Sequence, residues 1–221
     1  MKKYIKNISA ILIYIFFDTI FYLITKLINI DYNSFNNLKK TIYLIINGLF
    51  MIFILIFIYK DELKKDFNEY KKNYKLYFDK YFKVYVLGVL LMGISNTIIS
   101  KFTHMEISEN EEIIRNLVDT MPIYITFSTV LYAPLIEELI YRKCIRNLIS
   151  NDIAFIYMSG LIFGLMHVVS GHETVNDILM GIPYIIIGID FAFIYYKTKN
   201  IFSTIQFHFL HNLLLLIIQF I

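Results

Sequence analysis

Two adjacent glutamates stand in an apolar part of this 221-residue chain, Glu137 and Glu138 in the stretch "YAPLIEELIYRKCIRNLIS". Glu138 and Arg142 are four residues apart with the glutamate first, the favourable orientation for a helical ion pair. Glu137 lies about 100° further round the helix and has no such partner in its own turn. An unpaired carboxylate in a low-dielectric setting is a candidate general base. These residues leave two hypotheses open: a reactive Glu137 supported by its neighbours, or a structural ion pair that joins two helices.

A second apolar segment, "GLIFGLMHVVSGHE", carries a histidine that would lie at the same depth in the membrane as Glu137. His167 follows Phe163 by one helical turn, so both lie on one face. If two antiparallel helices flank the turn at 150–152, Glu137 and His167 both lie about 20 Å from it. A histidine level with paired carboxylates favours a functional site over a core histidine.

A third segment, "FSTIQFHFLHNLLLL", places His208 and Asn212 four residues apart on one face, with His211 near that face. These groups lie about 12–18 Å from the turn at 197–200, which is compatible with the same cavity. Hydrogen-bonding groups in an otherwise apolar membrane helix need polar partners or water. The three segments therefore predict one polar site inside a helical bundle.

Other polar residues in the apolar segments are given structural interpretations. Asp18 and Asp190 each stand alone and are interpreted as protonated or helix-bonded groups. The segment "HETVN" begins like a zinc-protease HExxH motif, but its last residue is Asn176. Without the second histidine it lacks the pair that chelates zinc, so His172 and Glu173 receive no role.

The three motifs together resemble a known family. "EELIYR" resembles EExxxR, "FGLMH" resembles FxxxH and "HFLHN" resembles HxxxN, in the order found in the CPBP intramembrane proteases. This family is also called Abi, or CAAX protease and bacteriocin-processing proteins. The resemblance covers roughly residues 120–215, whereas 1–119 resemble the family only as generic spans. It implies an all-helical membrane fold around a water-filled cavity open to the cytoplasmic side, and peptide-bond hydrolysis near the membrane surface.

The resemblance also implies roles for individual residues. Its catalytic positions fall on Glu137, His167, His208 and Asn212. Glu137 would activate water with the help of His167, and the other two would stabilise the oxyanion. Its supporting positions fall on Glu138, Arg142 and Phe163. His211 has no counterpart in the family pattern.

Whether a metal takes part stays open on these residues. Glu137, His167 and His208 could form a zinc site, as the frequent family label of metalloprotease implies. Alternatively, Glu137 and His167 polarise water directly. Asparagine is a poor zinc ligand and a histidine pair four residues apart is missing, so we expect no cofactor and keep zinc as the alternative.

The composition predicts the scaffold, because 57% of the residues are hydrophobic and they fall in long blocks. The blocks are 8–30, 41–59, 82–99, 120–141, 153–169, 177–196 and 201–221. Most approach the roughly 20 residues that span hydrocarbon as a helix. We therefore predict an all-α, polytopic membrane protein with about seven transmembrane helices around an intramembrane cavity. It forms one integral membrane domain, with N-terminal helices and a basic cytoplasmic loop in 1–119 and a catalytic helical core in 120–221.

Charge predicts the orientation of the chain in the cell membrane. Sixteen of the 21 Lys and Arg residues fall in the segments that a seven-span chain starting inside would place in the cytoplasm: 1–7, 60–83, 142–152 and 197–200. The positive-inside rule thus places the N-terminus in the cytoplasm and the C-terminus outside. The single cysteine, Cys144, excludes an intramolecular disulfide. No segment resembles a nucleic-acid-binding module, so the expected partners are the lipid bilayer and a peptide or membrane-protein substrate.

Two details concern helix packing and shape. Four glycines would let the later helices approach closely: Gly160, Gly164, Gly181 and Gly188. Pro134 is expected to kink its helix just before Glu137 and to open backbone groups toward the cavity.

The leading hypothesis is an intramembrane endopeptidase that hydrolyses a peptide precursor or a small membrane protein, for instance in maturing a bacteriocin or a signalling peptide. One alternative is a non-proteolytic membrane scaffold or bacteriocin-immunity protein, which would tolerate replacement of Glu137. Another is a proton-coupled transporter with a carboxylate and histidine relay. Transporters usually carry internal repeats, and none is visible here.

Overall fold

The computed structural model describes residues 2–105, 107–168 and 174–220, and the regular structure in these ranges is helical throughout. The helices are α1 (Lys2–Leu27), α2 (Asn37–Thr103), α3 (Glu109–Thr120), α4 (Pro122–Leu148), α5 (Asp152–Met166), α6 (Val175–Leu179), α7 (Ile182–Thr198) and α8 (Ile201–Phe220). Five segments are long and apolar enough to cross a membrane: α1, α2, α4, the segment Val175–Thr198 and α8. The predicted class, a polytopic helical membrane protein, is confirmed.

The largest difference from the sequence-based topology lies in α2. This helix of 67 residues contains two predicted spans, 41–59 and 82–99, together with the basic segment 60–83 that we expected to be a loop. No glycine or proline occurs between Gly48 and Gly88, so nothing in this stretch breaks a helix. The block 153–169 corresponds to α5, which has 15 residues.

Side-chain caps set the helix starts around the site. The Asn36 carboxamide caps α2, Ser108 caps α3 and Asn151 caps α5. Each side-chain oxygen accepts a hydrogen bond from a backbone N–H in the first turn, which satisfies a donor that the helix itself leaves free. The predicted turn at 150–152 is therefore a capped helix start.

Close packing of α5 on α7 fixes the depth of His167 relative to the rest of the core. A β-carbon at Gly160 would lie 2.7 Å from the Ile189 backbone nitrogen, and one at Gly164 would lie 2.5 Å from that of Ile185. Only glycine permits this approach of the two backbones. The predicted role of these two glycines is confirmed.

A cluster of charged and polar residues lies near the C-terminal end of α4. The Lys143 ammonium lies 2.6 Å from the Asp66 carboxylate, and the Asn200 side chain donates to the Asp66 carbonyl at 2.7 Å. Lys6 of α1 forms an ion pair with Glu62. These five residues, here called the basic end, join α1, α2, α4 and the start of α8.

Two segments of α4 are π-helical, Phe127–Tyr132 and Glu138–Cys144. In the first, the Ala133 N–H bonds to the Ser128 carbonyl five residues back. Pro134 has no N–H to offer the next carbonyl. Single-turn π-helical insertions are frequent at functional sites because they redirect side chains and backbone groups.

Candidate active site

Three helices bring their polar side chains together around Glu137. The Glu137 Oε2 atom lies 3.9 Å from the His167 Nε2 atom at the end of α5 and 3.9 Å from the His208 Nε2 atom of α8. The Glu137 side chain is 17% exposed, and its Oε2 atom is buried without a hydrogen-bond partner in the described parts of the chain. The structure thus brings together three of the four residues that the resemblance implies are catalytic.

The backbone sets the tautomer of His167. Its Nδ1 atom lies 2.8 Å from the Phe163 carbonyl oxygen, which can only accept a hydrogen bond. Nδ1 therefore carries the proton, and in the neutral ring Nε2 presents a lone pair toward Glu137. The imidazole also stacks on the Tyr184 ring at 4.7 Å between centroids. Phe163 supports the histidine through its carbonyl and through its own ring, 4.4 Å away.

A buried chain of charged groups orients His208. Its Nδ1 atom lies 3.0 Å from Glu138 Oε1, and Glu138 Oε2 lies 3.1 Å from Arg142 Nε. The Glu138 and Arg142 side chains are fully buried, so each requires the opposite charge of the other. The ion pair predicted from the spacing is present, and it extends to His208, which spacing along one helix does not reveal.

Two contacts that the sequence analysis missed hold Arg142 in place. Its Nη1 atom donates to Ser159 Oγ at 2.9 Å, and Ser159 in turn donates to the Tyr141 carbonyl at 2.6 Å. The guanidinium also lies over the Phe163 ring at 4.7 Å from its centroid, a favourable cation–π distance. A serine in an apolar helix carries no distinctive signal, so only the packing of α5 on α4 identifies Ser159.

Asn212 is anchored by a backbone group that Pro134 leaves free. Its side-chain Nδ2 donates to the Thr129 carbonyl at 2.8 Å. The Ala133 N–H bonds instead to Ser128, and Pro134 has no donor, so this carbonyl stays available. The amide of Asn212 has two N–H groups, which leaves one for a ligand. The backbone group that Pro134 was expected to free is thus the Thr129 carbonyl.

A cavity of about 610 Å³ contains the polar groups, and Glu137, His167, His208, His211 and Asn212 all line it. It extends to α3, whose Ser108–Leu117 region forms its other wall. This helix adjoins the N-terminal end of α4, opposite the basic end. The charge-based orientation places α3 outside the cell, whereas the resemblance implied a cavity open to the cytoplasm. The two expectations therefore disagree.

The spacing of these groups is wider than that of ligands around a zinc ion. Ligands at about 2.0–2.2 Å in tetrahedral geometry lie roughly 3.3–3.6 Å from one another, whereas the N···O separations from Glu137 to His167 and His208 are both 3.9 Å. No group of three His, Cys, Asp or Glu residues suited to a metal occurs within the described ranges.

The remaining polar residues are placed as follows. His211 is buried, with its ring edge-on to Tyr85 and Phe191 at 6.1 and 6.2 Å. Asp190 is buried against Gly88, and its Oδ2 has no partner in the described residues. Asp18 does not stand alone as expected, because the Asn47 Nδ2 of α2 donates to it at 3.0 Å.

His172 and Glu173, from the segment that begins like HExxH, lie outside the described residues.

Comparison with known proteins finds one family model and two relatives that are similar to this chain. Residues 119–214 match the family model described as Type II CAAX prenyl endopeptidase Rce1-like. A Bacillus subtilis (strain 168) protein named "Putative membrane peptidase YdiL" is 30% identical over 115 residues, 51% of this chain and 43% of that protein. An uncharacterized protein of Mycoplasma capricolum subsp. capricolum is 28% identical over 206 residues, 83% of this chain and 57% of that protein. No solved structure shows significant similarity.

These matches confirm the family resemblance that the three motifs indicated, over the part of the chain that carries them. They support a membrane endopeptidase at the level of the family. The chain spans about half the length of the curated relatives it matches.

Proposed function

We propose that this protein is an intramembrane endopeptidase that cleaves a peptide precursor or a small membrane protein. The observation that carries the proposal is the position of Glu137 between two histidines on a cavity wall, with a buried carboxylate oxygen that has no partner in the described residues. Unlike Asp190, whose buried oxygen faces Gly88, Glu137 lies within 3.9 Å of two histidines on the wall of a cavity that a substrate can enter.

Glu137 and His167 act on the attacking water. A separation of 3.9 Å between Glu137 Oε2 and His167 Nε2 is too long for a direct hydrogen bond and suits a bridging water. Both atoms accept, so together they orient the two O–H groups of that water. Glu137 takes one proton as the water oxygen attacks the peptide carbonyl carbon.

His208 and Asn212 stabilise the negative charge that forms on the carbonyl oxygen. Protonated at both nitrogens, His208 donates Nδ1–H to Glu138 and Nε2–H to the oxyanion. Asn212 contributes the N–H that Thr129 does not use. Fixed donors of this kind cost no reorganisation during the reaction. Glu137 then passes its proton to the leaving nitrogen, the C–N bond breaks, and the products are a carboxylate and an amine.

The decisive experiment is cleavage of a quenched peptide library by protein reconstituted in liposomes. We expect Glu137→Gln to lower the rate about 10³-fold and His208→Ala to abolish activity, while the surface control Glu109→Gln leaves it unchanged. A strong chelator should have no effect. Unchanged cleavage in Glu137→Gln would refute the proposed site, whereas inhibition by the chelator would restore the zinc alternative.

The same variants separate the other hypotheses. A scaffold or immunity protein would cleave nothing and would keep its cellular phenotype in Glu137→Gln. A proton-coupled transporter would acidify or alkalinise the liposome lumen in the presence of its solute, and peptide cleavage would be absent.

We also propose that the N-terminus is cytoplasmic, which places the α3 side of the cavity outside the cell. The test uses single cysteines at Lys72→Cys in the basic segment and Glu112→Cys on α3, in a Cys144→Ser background. A membrane-impermeant maleimide should label Glu112→Cys in intact cells and Lys72→Cys only after permeabilisation. The reverse pattern would place the cavity on the cytoplasmic side, as the family resemblance implies.

A further inference from the structure

A second cavity, of about 300 Å³, lies between α1, α2 and the first π-helical segment of α4. Its walls are unusually rich in tyrosine: Tyr22, Tyr32, Tyr43, Tyr124 and Tyr132. Asp18 and Asn47 also line it. We name this cavity the tyrosine pocket. None of the three catalytic motifs contributes to it.

The chemistry of the walls selects a cation. Aromatic rings attract positive charge over their faces, and the Tyr32 and Tyr43 rings lie 5.1 Å apart with a 48° angle between their planes. Lysines of the chain lie over two rings of the pocket, Lys40 at 5.5 Å from the Tyr32 centroid and Lys26 at 6.0 Å from that of Tyr22. Asp18 adds a carboxylate within a membrane-spanning helix, where an uncompensated charge is unfavourable.

An unmatched acceptor shows what kind of cation fits. Asn47 is buried, and its Oδ1 atom has no hydrogen-bond partner in the described residues. Its Nδ2 donates to Asp18 at 3.0 Å, as an ionised carboxylate requires. Asn47 Oδ1 therefore requires a donor. A protonated amine or a guanidinium provides N–H donors for it and a charge for Asp18, whereas a quaternary ammonium provides the charge alone.

The pocket adjoins the catalytic cavity. Tyr124 and Ser128 line both cavities, and Ser128 directly precedes Thr129, whose carbonyl holds Asn212. A peptide bound in the catalytic cavity would thus lie beside the wall that the two cavities share.

We propose that the tyrosine pocket is a substrate subsite that binds a lysine or arginine side chain of the peptide to be cleaved. This inference rests on the proposed endopeptidase function for the identity of its ligand. Asp18 supplies the countercharge, Asn47 Oδ1 accepts from the cationic group, and the tyrosine rings enclose its apolar stem.

The test measures binding separately from cleavage. Fluorescent peptides with one lysine, scanned along an alanine-rich sequence, are titrated against full-length Glu137→Gln protein in nanodiscs. The comparison peptides carry acetyl-lysine at the same position. We expect one register to bind at least tenfold more tightly with lysine, and Asp18→Asn to remove that preference. The matched control, Asp119→Asn, removes a charge from the end of α3 and should keep it.

A second variant guards against misfolding in Asp18→Asn. Tyr32→Leu removes a ring from a surface turn, keeps Asp18, and should weaken the lysine preference several-fold. Equal binding of the lysine and acetyl-lysine peptides would overturn the proposal. The proposal would also be overturned if the pocket bound phosphatidylethanolamine of the nanodisc and showed no preference for the lysine peptide. That result would make the pocket a lipid headgroup site. If Glu137→Gln still cleaves the peptides while the lysine preference holds, the catalytic assignment fails and the pocket stands.

Discussion

Charged residues in the middle of α4 and near its C-terminal end have different surroundings. At the basic end, Lys143 is paired with Asp66, and Asn200 binds the backbone of the same residue. Beside the cavity, Glu137 presents a buried oxygen with no hydrogen-bond partner in the described residues, whereas Glu138 forms an ion pair with Arg142 and contacts His208. The Lys143–Asp66 pair joins two helices, whereas the Glu137 carboxylate faces a cavity beside two histidines. The comparison predicts that substitutions in the two regions will separate stability from activity.

Replacement of Arg142 should have the largest effect, because it links both properties. Arg142→Met leaves Glu138 buried without its cation, which costs about 3–5 kcal/mol of unfolding free energy. Reversible unfolding in mixed micelles measures the loss. The double variant Arg142→Met, Glu138→Gln should recover much of the stability without recovering cleavage, because His208 loses its charged partner. Recovery of both would mean that the ion pair is structural alone.

Asn212→Ala should lower activity without lowering stability. Removing one oxyanion donor reduces kcat about 10²-fold, while the lost hydrogen bond to the Thr129 carbonyl is partly exposed. Steady-state kinetics on the best peptide gives kcat, and the melting temperature gives the control. An increase in KM at constant kcat would instead assign Asn212 to substrate binding.

Lys143→Met should do the converse at the basic end. The Asp66 side chain is 10% exposed, so its unpaired charge should cost about 3 kcal/mol of stability, the lower end of the range for a broken buried pair. The cleavage rate per folded molecule should not change, as measured after active-fraction correction. Lys72→Met, on the exposed basic segment, is the matched control. A selective fall in kcat would show that the two regions are coupled.

Pro134→Ala gives the finest distinction. It restores a backbone N–H that can compete with Asn212 for the Thr129 carbonyl, at a hydrogen-bond energy of about 1 kcal/mol. We expect a roughly fivefold lower kcat together with a higher melting temperature. Unchanged kinetics would show that the free carbonyl is not what positions Asn212.

Local pattern was sufficient for much of this protein. The apolar blocks predicted the polytopic helical class, and the spacing of Glu138 and Arg142 predicted their ion pair. Gly160 and Gly164 predicted the close approach of α5 and α7. These features depend on residues a few positions apart or on the length of an apolar run, which helical geometry converts directly into structure.

Other features depend on contacts between distant segments. The loop predicted at 60–83 is helical, and here a local signal was available, since no glycine or proline occurs between Gly48 and Gly88. The partnership of Asp18 with Asn47 joins α1 to α2, and that of Asn212 with Thr129 joins α8 to α4. No spacing within one helix encodes such pairs.

The sequence by itself determined which residues could do chemistry: one paired and one unpaired glutamate, with histidines at matching depth. Only the tertiary structure decided what each one faces. It places the Nε2 atoms of both histidines near Glu137 and brings Glu138 into contact with His208. It also places tyrosines from three helices around Asp18. The physical reason is that side-chain types and helical periodicity are local properties, whereas the direction of a side chain relative to another helix follows from how whole helices pack.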